Sequence, residues 1–306
     1  IVTKDGYIVT NNHVIENASV KTNNLTILLS KKLESDFENT NNLLKFAQNI
    51  MLNITTENKY FLEATDKEKK EIVSKRFTSL INSSTNLNAI NYADSNGNIL
   101  YSSNHLNGEI NISDREHFQE LKNNENLIIS FSDVITSKIT GKESLVLARA
   151  IRDENKDILE EITAVININN INETLASIDL GKNGVALLRR VDNTKLISRY
   201  PSNEKVSINQ TLPLNNPIVS RIKAGEKTGS LEYIASTDGE KRVGSFMVME
   251  NFPFYVETAI SEEVYLAQWR DDFKTVAILF VLFIFITFLT FLILNKSIKK
   301  EQLAVK

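Results

Sequence analysis

Three histidines, His13, His105 and His117, are the residues of this 306-residue chain best suited to proton transfer or metal binding, and there is no cysteine to assist them. Without cysteine there is no thiolate nucleophile, no disulfide framework and no Cys-type zinc site. The histidines are scattered, and no pair has metal-ligand spacing. A hydrolytic serine needs a base, an orienting acid and backbone amides for an oxyanion, usually in a Gly-Asn-Ser-Gly-Gly loop. The serines that directly follow glycine are Ser230 and Ser245, and neither is followed by another glycine. No catalytic residue and no cofactor are therefore expected.

Binding chemistry has better candidates. In the run Ser144 to Arg152, Arg149 alternates with Leu145, Leu147 and Ile151. A guanidinium on an apolar strand face needs a partner, either an internal carboxylate or a ligand. Asn167 and Asn169 fall on one face of the run Glu161 to Asn169 beside Val165, although such pairs also cap strand ends. Arg115, in the first turn of a short helix, can reach a ligand carboxylate or stay solvated. Ser132, on the run Leu127 to Asp133, adds a hydroxyl. A few polar groups converging in an apolar pocket is how small-molecule sites are built.

The elements that must position these residues follow from periodicity. Leu29, Leu33, Phe37, Thr40, Leu44, Ala47, Met51 and Ile54 alternate four and three apart, which predicts a long helix over residues 25–60 with one buried seam. That seam packs on its own domain, and a homodimer partner can share it. Thr65-Asp-Lys-Glu68 and Ser113-Asp-Arg-Glu116 each read as a capping box opening a helix. Strands are predicted at 87–92, 99–103, 127–133, 144–152 and 161–169, the first two around an Asn96-Gly97 turn. The same order returns roughly 100 residues later, with strands at 185–190, 195–200, 230–235, 241–250 and 254–260 and a helix near 216–224. The expected architecture is α+β: a long N-terminal helix and two tandem antiparallel-sheet modules, 61–182 and 183–262. Each sheet leaves a concave face for a small ligand. In the second module Val243, Phe246, Val248, Phe254 and Val256 look committed to packing, so the first is the expected binding module.

From Thr275 to Leu294 no residue is charged, and the only polar ones are Thr275, Thr287 and Thr290. Twenty helical residues span roughly 30 Å, the thickness of a bilayer's hydrocarbon core. A membrane helix is expected over 273–294, with 295–306 opening a cytoplasmic region. Asp271 and Asp272 precede it while Lys296, Lys299 and Lys300 follow, and cytoplasmic flanks are the Lys-rich ones. Residues before the span are therefore expected outside the cytoplasm. A net charge of −3 without a Lys/Arg cluster before the span excludes nucleic acid as a partner.

Two resemblances accompany these patterns. Ile112-Ser-Asp-Arg-Glu-His-Phe118, Thr136-Ser-Lys-Ile-Thr-Gly141, Leu145-Val-Leu-Ala-Arg149, Ser177-Ile-Asp-Leu-Gly181 and Leu187-Leu-Arg189 resemble the double Cache (dCache, PAS-like) sensor domains of bacterial receptors. Ile260-Ser-Glu-Glu-Val264 with Trp269-Arg270 is similar to those joined to GGDEF-type diguanylate cyclases. The resemblance implies a small-molecule sensor in the bacterial inner membrane that relays to a cyclase, with a histidine kinase or chemotaxis receptor as the alternative. The Arg-x-Trp-Tyr signature of its amino-acid-binding members is missing. Amides stand at 167 and 169 where members often carry an acid, which implies a polar or anionic ligand. Residues 1–18 resemble the start of the catalytic domain of HtrA (Do-type) proteases, with His13 at the general base. No nucleophile loop follows, so proteolysis is the weakest alternative and this stretch is expected to be inert.

Overall fold

The computed structural model describes residues 6–56, 58–84 and 86–304. α1 (Gly6–Thr56) is one unbroken helix, about 75 Å long at 1.5 Å per residue. It starts well before residue 25 and takes in the described part of the protease-like opening. Residues 1–5 and the side chain of His13 lie outside the described set. All eight seam residues are at most 3% exposed. Thr40 is tolerated among them because its hydroxyl donates to the Asp36 carbonyl at 2.9 Å. The seam extends upstream through Ala18, Thr22, Thr26 and Ser30, all buried. The chain itself covers this stripe, so the seam packs on its own domain as expected.

α2 (Lys59–Glu63) leads to α3 (Asp66–Asn82), which opens with the expected capping box between Thr65 and Glu68. A hairpin follows, β1 (Leu87–Asp94) and β2 (Ile99–Ser102), turning through Gly97 at φ +82°. α4 (Glu116–Asn123) does not form the second capping box; Arg115 is its N-cap and makes no side-chain cap bond. Ser113 instead gives both its amide and its hydroxyl to Asn111 Oδ1, at 2.8 and 2.5 Å. Then come β3 (Ile129–Phe131), β4 (Ile135–Thr136), β5 (Glu143–Arg152) and β6 (Ile158–Asn167). α5 (Ile168–Ala176) was not anticipated; the run expected to stay extended through Asn169 turns helical at Ile168.

The second module repeats the plan with β7 (Val185–Arg190), β8 (Leu196–Tyr200), α6 (Pro217–Lys223), β9 (Thr228–Ile234), β10 (Lys241–Val248) and β11 (Phe254–Ser261). Its sheet order, β8-β7-β11-β10-β9, matches the first sheet's β2-β1-β6-β5-β3, to which β4 adds a short pairing with β5. The alternation of each strand sends one face to α1 and the other away. The α1-facing side chains of both sheets join a single apolar core. Phe37, Phe131, Phe252 and Phe254 close it at the junction of the modules, with ring centroids 4.9 to 5.6 Å apart.

α7 (Glu262–Ala304) begins where β11 ends, so the second module is the one next to it. Within α7, Phe273–Lys296 has a mean hydropathy of 3.1, buries nothing against the rest of the chain, and is long and apolar enough to cross a membrane.

Candidate ligand face and inter-module clamp

The five residues expected to bind ligand do not form one site. Arg149 points to the α1 side, where its Nε donates to Gln48 Oε1 at 3.1 Å and its Nη1 to Asn41 Oδ1 at 3.4 Å. Its partners are helix amides, neither the internal carboxylate nor the pocket expected. Ser132 is fully buried and stitches backbone, accepting from the Val146 amide at 2.9 Å and donating to the Asp133 carbonyl. Arg115 ties the start of α4 to β4 through the Thr136 carbonyl at 3.1 Å. Asn167 caps α5 by accepting from the Asn169 amide at 3.0 Å, and Asn169 is exposed on the helix. The two do not share a strand face, so the amide argument for an anionic ligand on this face falls.

The face of the first sheet turned away from α1 carries different groups. Ser102 donates to Asn91 Oδ1 at 2.7 Å, and Asn91 donates to Thr163 Oγ1 at 3.2 Å, all three buried. Beneath α4, His117 Nε2 lies 3.5 Å from Glu161 Oε1, both side chains being at most 3% exposed. Neither Glu161 oxygen nor His117 Nδ1 has a hydrogen-bond partner among the described residues. Burial pushes the Glu161 carboxyl up to about 8 and, with help from Arg115, drives the His117 imidazole down to about 3. Across that interval both groups are uncharged, the carboxyl protonated and the imidazole neutral. Sequence reasoning names His117 only as one of three scattered histidines and does not single out Glu161. The signal was present: Glu161 shares strand parity with Thr163 and Val165, and an acid on such a face needs a reason.

The rim of this face joins the second module. Arg190, nearly fully buried, forms a bidentate pair with Asp192, with Nε–Oδ1 at 2.9 Å and Nη2–Oδ2 at 2.5 Å. Its Nη1 donates to the Phe131 carbonyl at 2.5 Å and lies 3.7 Å from Asp133. Asp133 also pairs with Lys195 and accepts from Asn193 at 3.2 Å. Asn209 completes the clamp, donating to the Val134 carbonyl at 2.8 Å and accepting from its amide at 3.1 Å. The β7–β8 turn thus grips the β3–β4 loop.

No metal centre adds to this chemistry among the described residues. Ser230 and Ser245, the only serines that follow a glycine, bond each other at 2.8 Å, and Ser245 meets Thr22 of α1 at 2.7 Å. Their hydroxyls are structural.

Residues 10–269 match the Cache domain family dCache_1, and the chain belongs to that family. A search of curated proteins returned no match. Among solved structures, the extracellular domain of a proposed histidine kinase aligns with a TM-score of 0.66 at 18% identity, covering 83% of this chain and 98% of that one. The periplasmic sensory domain of the Campylobacter jejuni chemoreceptor Tlp1 gives 0.62 at 12% identity, covering 83% and 98%. The ligand-binding domain of the Pseudomonas fluorescens chemoreceptor CtaA, solved with L-isoleucine, gives 0.58 at 13% identity, covering 85% and 98%. The chain is a Cache sensor domain, a non-catalytic ligand-binding fold, and the match takes in the second half of the stretch that resembles a protease.

Proposed function

We propose that this chain is the sensing part of an inner-membrane receptor: the first module is membrane-distal and holds a small polar ligand on its outer face, and the second relays occupancy into α7. One observation carries the reading, the continuous path from that face to the apolar helix. Glu161 sits on β6; the β3–β4 loop at the same rim is gripped by Arg190, Lys195 and Asn209 of the second module; and β11 of that module's sheet enters α7 without a break. Two arrangements of this clamp differing by a few kcal/mol would suffice to transmit a signal. The buried Glu161 carboxyl, kept protonated up to about 8, offers a polar ligand one donor and one acceptor. The relative solved with L-isoleucine supports amino-acid-sized ligands, while the missing Arg-x-Trp-Tyr run points away from free amino acids. Kinase and chemoreceptor outputs are supported by the solved relatives, and a diguanylate cyclase output by the resemblance just before the span. The acidic flank before α7's apolar stretch and the lysines after it favour a cytoplasmic C-terminus.

A thermal-shift screen of the whole chain in nanodiscs against small polar metabolites tests this. Glu161→Leu should weaken a hit by about tenfold, because the ligand's polar group then loses its partner on this face. Asp133→Asn should keep binding but abolish ligand-induced protection of residues 262–270 in hydrogen exchange. Binding indifferent to Glu161→Leu would move the site off this face.

A further inference from the structure

The outer face of the second sheet encloses a cavity of about 50 Å³ under α6 and the 200–216 loop. At roughly 10–15 Å³ per water-sized group, it holds about four non-hydrogen atoms. Its lining combines an apolar wall, Val185, Leu187, Val206 and Leu212, with three arginines and one carboxylate: Arg189, Arg199, Arg242 and Glu257.

Counting partners shows which charges are spent. Arg242 is committed, its Nη1 and Nη2 paired with both oxygens of Asp238 at 2.8 and 2.9 Å and its Nε donating to the Asn183 carbonyl. Glu257 accepts from the Tyr233 hydroxyl. Gly244 makes room for that contact, since a Cβ there would lie 2.9 Å from Tyr233 Cε1. Arg199 reaches Asp238 only at 3.5 Å and otherwise bonds the Pro201 carbonyl. Arg189 is 2% exposed; its Nη1 holds the Thr194 and Gln210 carbonyls at 2.9 and 2.7 Å, while its Nε has no hydrogen-bond partner among the described residues. Two guanidiniums, Arg189 and Arg199, therefore share this space with one carboxylate, which burial itself disfavours in its charged form. A buried cation with an unused donor is costly, and an anion of the right size would relieve it.

We propose that this cavity is a second binding site, for a small aliphatic monocarboxylate of about two or three carbons. Its carboxylate takes the Nε edge of Arg189 and the guanidinium of Arg199, and its alkyl end lies on Leu187, Val206 and Leu212. The site is separate from the distal face and stands whether or not that face binds a ligand.

Calorimetric titration of the whole chain in nanodiscs with acetate and propionate tests it, with propionamide as the neutral isostere and chloride as the ionic control. Propionate should bind and raise the melting temperature, and propionamide should bind at least about tenfold more weakly, because it lacks the charge. Arg199→Gln should cost about tenfold in affinity, and Val206→Phe, which fills the space without touching a charge, should abolish binding. Glu161→Gln should leave it unchanged. Failure of both acids to bind the cooperatively melting wild-type chain up to roughly 10 mM would overturn the proposal. So would equal affinity for propionamide, or binding that survives both cavity variants.

Discussion

The two modules share a strand order and even the placement of one acid, yet they use it differently. Glu161 on β6 stands opposite Ala93 of β1, and Glu257 on β11 stands opposite Leu187 of β7, each buried on the face turned away from α1. In the first module α4 brings His117 and Phe118 down onto the sheet, and the acid lies beside an imidazole. In the second module the covering segment stands off, and Tyr233 with three arginines surrounds the acid and a cavity. Strand order thus decides where an acid can sit. The covering helix and loop decide whether it is filled, paired or left open.

α1 shows a parallel contrast. Over the proximal sheet it presents hydroxyls, with Thr22 meeting Ser245 at 2.7 Å and Thr26 meeting Thr258 at 2.8 Å. Toward the distal sheet the seam is Phe37, Leu44, Ala47 and Met51. Directional bonds set a register, whereas apolar packing supplies most of the adhesion.

The largest disturbance of this comparison should come from the residue that belongs to both modules. Phe37→Ala opens a cavity among Phe131, Phe252 and Phe254, and is expected to cost about 3–5 kcal/mol. Calorimetry should then resolve two transitions where the wild type shows one; a single transition at an unchanged temperature would refute the shared core.

Next in size is a pH effect that separates the two acids. The unfolded chain releases the Glu161 proton near 4.5, while the folded chain keeps it to about 8. The unfolded chain takes up a proton on His117 near 6.5, while the folded chain waits to about 3. Between pH 4.5 and 6.5 the two effects cancel. From pH 6.5 to 8 stability falls by about 2 kcal/mol, at 1.36 kcal/mol per pH unit, and below 4.5 it falls again. Glu161→Gln should remove the alkaline loss and melt higher than wild type at pH 8. Glu257→Gln should instead melt lower, since it strips Arg189 of its nearby countercharge. Melting curves across this range that place both variants on the same side of wild type would erase the distinction.

Smaller still, Thr26→Val removes bonds to Thr258 and to the Ser245 carbonyl at 3.2 Å, and should cost about 1 kcal/mol in chemical unfolding. Arg149→Ala loses two helix amides for about 0.5–1.5 kcal/mol, with distal ligand affinity untouched. A drop in affinity there would return Arg149 to the site.

By itself the sequence determined every repeated strand, the seam of α1, the apolar stretch of α7 and the tandem order of the modules, because period-two and heptad-like alternation are local and burial enforces them. Local logic also misled. Asn167 and Asn169 read as strand partners, but Asn167 can equally cap a helix, and packing of Ile168, Ile171 and Leu175 into the core chose the helix. The Ser113 box lost to a nearby acceptor on Asn111. The argument that singled out Arg149 applied just as well to Arg189, which shares a strand face with Val185 and Leu187. Only the tertiary structure decided between them, because strand parity says that a charge lies on a buried face and cannot say which element covers that face. The covering elements are α1 with amides for Arg149, and a loop with a cavity for Arg189.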